Sequence, residues 1–281
     1  MASESRVTRV FAIRHGERED HINLNWQKLS KRPHDAPLSR SGRSQAYECG
    51  EYLASVIGEN EGVTIYSSPL VRCVMTAKLI INGFEENIRS SNKPSGRELK
   101  IRIEEGIAET AWHLRNRMLG IHDDNDRICP FTNKQRICSG PVLLGPGDLL
   151  EAAFPAEIDM DYLSCYPLRY NKDGHEIDQS TAKPYENPET PSARVKFSVP
   201  KILAQEDNQE VVILVSHGGV IRESTNLLLG AAKCESIGYL DTFALTKSTS
   251  KSHFHGGSFK LESFWCPEEF RGDKTGQKRL D

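Results

Sequence analysis

The sequence predicts an α/β fold: a three-layer sandwich around a mainly parallel central sheet with one antiparallel edge. Three observations carry this expectation. Short β-rich runs alternate with segments of helical periodicity. The run at 211–215, Val-Val-Ile-Leu-Val, is apolar without a break, as a strand covered on both faces should be. Two final runs, Phe243-Ala244-Leu245 and Phe259 to Phe264, read as antiparallel strands closing one edge.

The elements follow in order. Val10-Phe11-Ala12-Ile13 is the first strand. Ala46, Cys49, Leu53 and Val56/Ile57 then recur at three- and four-residue spacing, with Gly58 as a stop signal, and predict a helix. Val63-Thr64-Ile65-Tyr66 is the second strand, and from Pro69 onward Leu70, Cys73, Val74, Ala77 and Ile80/Ile81 again keep helical spacing. Ile101-Arg102-Ile103 is a third, short strand. Thr190-Pro191 reads as a cap and first helical position, opening a helix that Pro200 must kink or end. After the strand at 211–215, Val220, Ile221, Leu227 and Leu228 describe a last helix closed by Gly230. Residues about 110–200 are rich in proline and weakly periodic, and are expected to form an insertion over the active site within a single domain of residues 1–270. Residues 271–281 form a polar tail, expected to be disordered.

Composition bounds the partners. Against 39 Asp+Glu stand 36 Lys+Arg, a net charge of −3, so no basic excess exists for nucleic-acid binding. Attraction for an anion must then be local, from a few convergent cations. Seven cysteines without a C-x-x-C pair suggest reduced thiols rather than a zinc or redox motif. The N-terminus has no apolar signal stretch and no run approaches membrane-spanning length. A cytoplasmic protein without a membrane or nucleic-acid partner and without a cofactor is expected; a homodimer is compatible with the sequence.

In open α/β sheets, ligands gather at the carboxyl ends of the strands. Those ends here carry Arg14-His15-Gly16-Glu17-Arg18, Ser67-Ser68-Pro69-Leu70-Val71-Arg72, Glu104-Glu105-Gly106-Ile107-Ala108-Glu109 and Ser216-His217-Gly218-Gly219. Two histidines, up to three arginines and a carboxylate would converge. Such a set suits phosphoryl transfer, because a phosphate monoester is a dianion whose equatorial oxygens need fixed positive charge. Arg14 and Arg72 are the expected phosphate donors, with Arg18 a third, since the guanidinium fork gives paired hydrogen bonds and keeps its proton. His15 is the expected nucleophile, forming a phosphohistidine. Gly16 is expected to let the backbone approach phosphate, and His217 to hydrogen-bond a transferring oxygen beside glycines that open a helix. Glu109 is the expected acid and base, with Glu105 the alternative.

These segments resemble the two signatures of the histidine phosphatase superfamily, or phosphoglycerate-mutase-like fold, from about residue 7 to 264. Arg14 to Arg18, Asp35-Ala36-Pro37-Leu38-Ser39, Tyr66 to Ala77 and Ile103-Glu104-Glu105-Gly106 are similar to the phosphatase domain of the suppressor of T-cell receptor signalling (TULA) group and to ecdysteroid-phosphate phosphatases. The resemblance implies His15 as nucleophile, Arg14, Arg18, Arg72 and His217 as phosphate ligands, and Glu109 as the acid. It implies a metal-independent phosphatase acting on a phosphorylated small molecule or phosphoprotein. Two alternatives stand beside it: a phosphoglycerate mutase-type phosphotransferase, and a weakly active phosphate-binding scaffold.

Plainer roles are expected elsewhere. Cys73 should pack in the core, and Trp112 and Phe131 in the insertion. His21, His34, His113, His122 and His175 should be exposed loop residues, and His253 with His255 a loop pair rather than metal ligands.

Overall fold

The structure is a computed structural model. It describes residues 7–23, 25–58, 60–90, 99–110, 158–166, 191–206, 211–230, 234, 236–247 and 259–267. Six strands form one sheet in the order β3-β2-β4-β1-β5-β6. They are β1 (Arg9–Arg14), β2 (Val63–Ser67), β3 (Ile101–Ile103), β4 (Val211–Ser216), β5 (Thr242–Lys247) and β6 (Phe259–Trp265). The first four run parallel. β5 pairs antiparallel with β1 and β6 antiparallel with β5, which makes the expected antiparallel edge.

The unbroken apolar run of β4 has the meaning read from it: all six residues are buried. Val211, Ile213 and Val215 point into one core and Val212 and Leu214 into the other, the two-residue alternation of a strand. The first core lies under α3 (Arg40–Val56) and α4 (Val71–Ser90); the second under α5 (Ser192–Gln205) and α6 (Gly218–Leu229). Two short helices, α1 (Glu19–Ile22) and α2 (Trp26–Leu29), lie between β1 and α3.

Local chemistry sets the helix ends. The Ser39 hydroxyl caps α3 by accepting from the Gly42 N–H at 2.9 Å. Gly230 closes α6 in the left-handed region, φ 68°. α3 and α4 meet backbone to backbone. A Cβ on Gly50 would stand 2.2 Å from the Ile80 carbonyl oxygen, and one on Gly83 2.1 Å from that of Tyr47. α5 starts at Ser192, with Pro191 at the cap position, one residue later than expected. Pro200 does not end it; the helix runs on to Gln205. Pro200 and Lys196, whose carbonyl loses its donor, both face solvent, while Val195, Val199, Ile202 and Leu203 hold the opposite face in the core.

Of the expected insertion, residues 158–166 run beside the β3 edge: Ile158 bridges Ile101, and the Asp159 N–H donates to the Ile101 carbonyl at 2.9 Å. Buried Glu104 ties this segment down, accepting from the Tyr162 hydroxyl, the Ser164 hydroxyl and the Cys165 N–H. Trp112, His113, His122, Phe131, His175, His253, His255 and the tail lie outside the described residues. No described helix is long and apolar enough to cross a membrane.

Candidate active site

The parallel ladder continues past the strand ends and pins the loops that follow. The His15 N–H donates to the Ser216 carbonyl (2.9 Å), the Ser68 N–H to that of Val215 (3.0 Å) and the Glu104 N–H to that of Ser67 (2.9 Å). Residues from three loops are thereby held at one sheet edge, where ligands bind in open α/β sheets.

His15 is 1% exposed. Its Nδ1 lies 2.8 Å from the Gly16 carbonyl oxygen, and Arg72 directs its Nε at the other ring nitrogen, Nε2, from 3.3 Å. A carbonyl oxygen only accepts and a guanidinium only donates, so the proton sits on Nδ1 and Nε2 carries a bare lone pair. Burial, then Arg72, His217, Arg14 and Arg18, hold the His15 pKa well below its ordinary 6.5. The imidazole is neutral at neutral pH.

Arg72 is the second residue of α4 and is fully buried, not a solvated helix residue. Beyond His15 it donates from Nη1 to the His34 carbonyl (3.3 Å), and Nη2 lies 3.2 Å from His217 Nδ1 and 3.6 Å from Glu109 Oε2. His217, at the cap position of α6, is also fully buried; its Nε2 sits 2.8 Å from the Ser68 hydroxyl. Glu109 Oε2 is 3.5 Å from His217 Nδ1. The rings of His15 and His217 meet edge to face, centroids 5.3 Å apart. Four of the predicted residues thus share one cluster.

The two other arginines are placed differently. Arg14 ends β1, donates from Nη1 to the Ile237 carbonyl at 2.5 Å and stacks over the Tyr239 ring at 4.3 Å. Its buried Nε has no hydrogen-bond partner among the described residues and faces Gly218 at the start of α6. Arg18 is buried and pairs with Asp20 at 3.0 Å and with the His21 ring, so its charge reaches His15 only through space. Glu105 turns its backbone N–H to the Ser164 hydroxyl, and the Glu104 carboxylate accepts from the Gly106 N–H in the same turn.

Two expectations need correction. Gly16 lacks a side chain because of packing: a Cβ there would lie 2.6 Å from the Gly42 carbonyl oxygen and 2.9 Å from the Leu240 side chain. Its N–H turns to the Thr76 hydroxyl of α4, not to the site. His34 is fully buried, not an exposed loop residue, because its carbonyl is needed by Arg72. Cys73 packs as expected, yet its sulfur lies 3.5 Å from His217 Nε2; burial pushes its thiol up to about 12 and leaves it neutral.

Tyr239 was not anticipated. Its ring lies 5.7 Å from that of His15, and its hydroxyl 2.7 Å from His21 Nδ1. The signal was the antiparallel direction of β5: its start lies at the same edge as the ends of the parallel strands. Leu240, at φ 54°, makes the turn that brings Tyr239 inward. Among the described residues, no group of three or more His, Cys, Asp or Glu could hold a metal ion.

The fold is phosphoglycerate-mutase-like, and at one sheet edge it groups the two histidines, Arg72 and Glu109. Residues 10–125 match the model of the histidine phosphatase superfamily (branch 1). It is 27% identical over 248 residues to human ubiquitin-associated and SH3 domain-containing protein A, covering 79% of this chain and 31% of that protein. It is 34% identical over 134 residues to the ecdysteroid-phosphate phosphatase of Bombyx mori, covering 37% of this chain and 18% of that one. The chain therefore spans a third or less of the length of these two relatives. A crystal structure of the Bombyx mori ecdysone phosphate phosphatase in complex with tungstate superposes with a TM-score of 0.59 at 20% identity, covering 92% of this chain and 93% of that one. That likeness is one of fold.

Proposed function

We propose that this chain is a phosphomonoester phosphatase that works through a phosphohistidine on His15. The observation that carries the reading is the fixed tautomer of His15: Nδ1–H is committed to the Gly16 carbonyl, and the bare Nε2 stands among Arg72, His217 and Glu109.

The chemistry balances in two displacements. Nε2 attacks phosphorus, a P–N bond forms, and the P–O bond to the leaving group breaks in line. Glu109 gives its proton to the departing oxygen. Arg72, Arg14 and His217 hold the equatorial oxygens while charge redistributes, and Arg18 adds longer-range positive potential. Water then attacks phosphorus, Glu109 takes its proton, the P–N bond breaks and phosphate leaves with His15 neutral again. Arg72 Nε–H, which faces Nε2, turns to a phosphoryl oxygen as the ester enters.

The substrate class is a phosphomonoester, either phosphotyrosine or a small phosphorylated metabolite. Cys49, Cys73 and Cys165 are free thiols, which accords with the cytoplasmic location we propose.

The test is turnover of p-nitrophenyl phosphate in EDTA, with single-turnover trapping of labelled enzyme under alkaline quench, where a P–N bond survives. Steady turnover and label on the chain are expected, both lost in His15→Ala. Undiminished hydrolysis by His15→Ala would overturn the mechanism.

A further inference from the structure

Residues 108–110, which carry Glu109, belong to no strand or helix. After the 3-10 turn Glu105–Ile107 the chain extends through Ala108 (φ −66°, ψ 168°). Three successive carbonyls are instead held by side chains from elsewhere. The Ser216 hydroxyl donates to Ile107 at 2.5 Å, and Arg194 Nη2 donates to Ala108 at 2.8 Å and to Glu109 at 3.4 Å. Ser216 ends β4 and immediately precedes His217, so one tie runs to the strand that leads into the second histidine.

Arg194 is the unusual member. It is 4% exposed on α5, and among the described residues no carboxylate neutralises it and its Nη1 has no partner. A buried guanidinium without a counter-charge costs several kcal/mol of desolvation, so packing alone is a poor reason for it. One nitrogen with two N–H bonds, at the end of a rigid planar fork, can span two successive carbonyls. The side chain above those carbonyls is fixed in turn: Glu109 Oε1 accepts from the Thr110 N–H at 3.0 Å, leaving Oε2 toward Arg72 and His217.

We propose that Arg194 is a positioning residue that clamps the main chain of Glu109 and so keeps its carboxyl over the reacting centre. The inference rests on the acid role given to Glu109 above. Misplacement of an acid by about 1 Å is enough to cost on the order of 10²-fold, and the Ser216 tie at Ile107 stops two residues short of Glu109.

The test is a series of aryl phosphates with leaving phenols from nitro- to methoxy-substituted, read as kcat/KM against phenol basicity. A nitrophenolate departs without a proton, whereas a basic phenolate needs the acid. Glu109→Gln, Arg194→Met, Arg194→Gln and Arg194→Lys are compared with the unaltered chain, with melting temperatures recorded. Glu109→Gln is expected to steepen the dependence. Arg194→Met should steepen it too, losing tenfold or more on the most basic leaving group and less than threefold on p-nitrophenyl phosphate, with KM little changed. Arg194→Lys and Arg194→Gln, which each keep a donor, should restore part of the loss and serve if Arg194→Met does not fold. An equal loss across the series in the Arg194 variants, beside a steepened Glu109→Gln, overturns the clamp alone. An unaltered slope in Glu109→Gln overturns the acid role, and the clamp with it.

Discussion

Arg72 points its Nε–H at Nε2 of His15 across 3.3 Å while its two other nitrogens reach His34 and His217. One planar group thus spans residues from the loop after β1, the cap of α6 and the loop before α3. Lysine offers a single ammonium and cannot make the same contacts at once. Arg72→Lys is expected to lower kcat/KM for p-nitrophenyl phosphate by about 10²- to 10³-fold. Steady-state kinetics on the folded variant check this, and a loss under threefold would remove Arg72 from the phosphate site.

The neutral His15 has consequences for pH. Its pKa in the fold lies well below the ordinary 6.5 because burial and Arg72 oppose the charge. Between those two values the unfolded chain takes up a proton that the native chain refuses, so stability falls as pH drops through that window and is unaffected above it. His15→Asn should flatten the decline in urea-unfolding free energy from pH 6.5 downward. In ¹⁵N NMR of labelled histidine, the His15 ring should stay neutral at pH 6.5; a midpoint at or above 6.5 would contradict the geometry.

The meeting of α3 and α4 permits no side chain at its closest point. Gly83→Ala would drive a methyl to 2.1 Å from the Tyr47 carbonyl oxygen. Both contact partners are backbone, so the helices must separate, at about 3 kcal/mol. Because α4 carries Arg72, activity should fall along with the urea midpoint. An unchanged midpoint would mean that the helices are not so closely packed.

Tyr239 offers a graded test of what holds Arg14. Tyr239→Phe keeps the ring under the guanidinium and removes only the hydroxyl near His21. Its kcat/KM should stay within about threefold. Tyr239→Ala removes a stacking contact of about 1–2 kcal/mol in this half-buried setting, and KM should rise roughly tenfold. Equal effects of both variants would place the function of Tyr239 in its hydroxyl.

Much of this was legible beforehand because it depends on short-range pattern. Periodicity marks strands and helices, and the rule that loops follow strand ends at one sheet edge placed His15, Arg72, Glu109 and His217 together. What did not show was the reason behind individual residues. Gly16 reads as a phosphate-facing glycine, but the carbonyl it avoids belongs to Gly42. His34 reads as an exposed histidine, but Arg72 recruits its backbone. Tyr239 and Arg194 fall in no motif at all.

The amino-acid order alone determined the alternation of strands and helices, the antiparallel edge and the residue types available for an oxyanion, since each is written within a few neighbouring positions. Only the folded chain decided which arginine touches His15, which ring nitrogen keeps its proton and what holds Glu109 in place. Those outcomes turn on contacts between residues 57 to 145 positions apart, and such distances are set by strand register and helix packing, not by any local run of sequence.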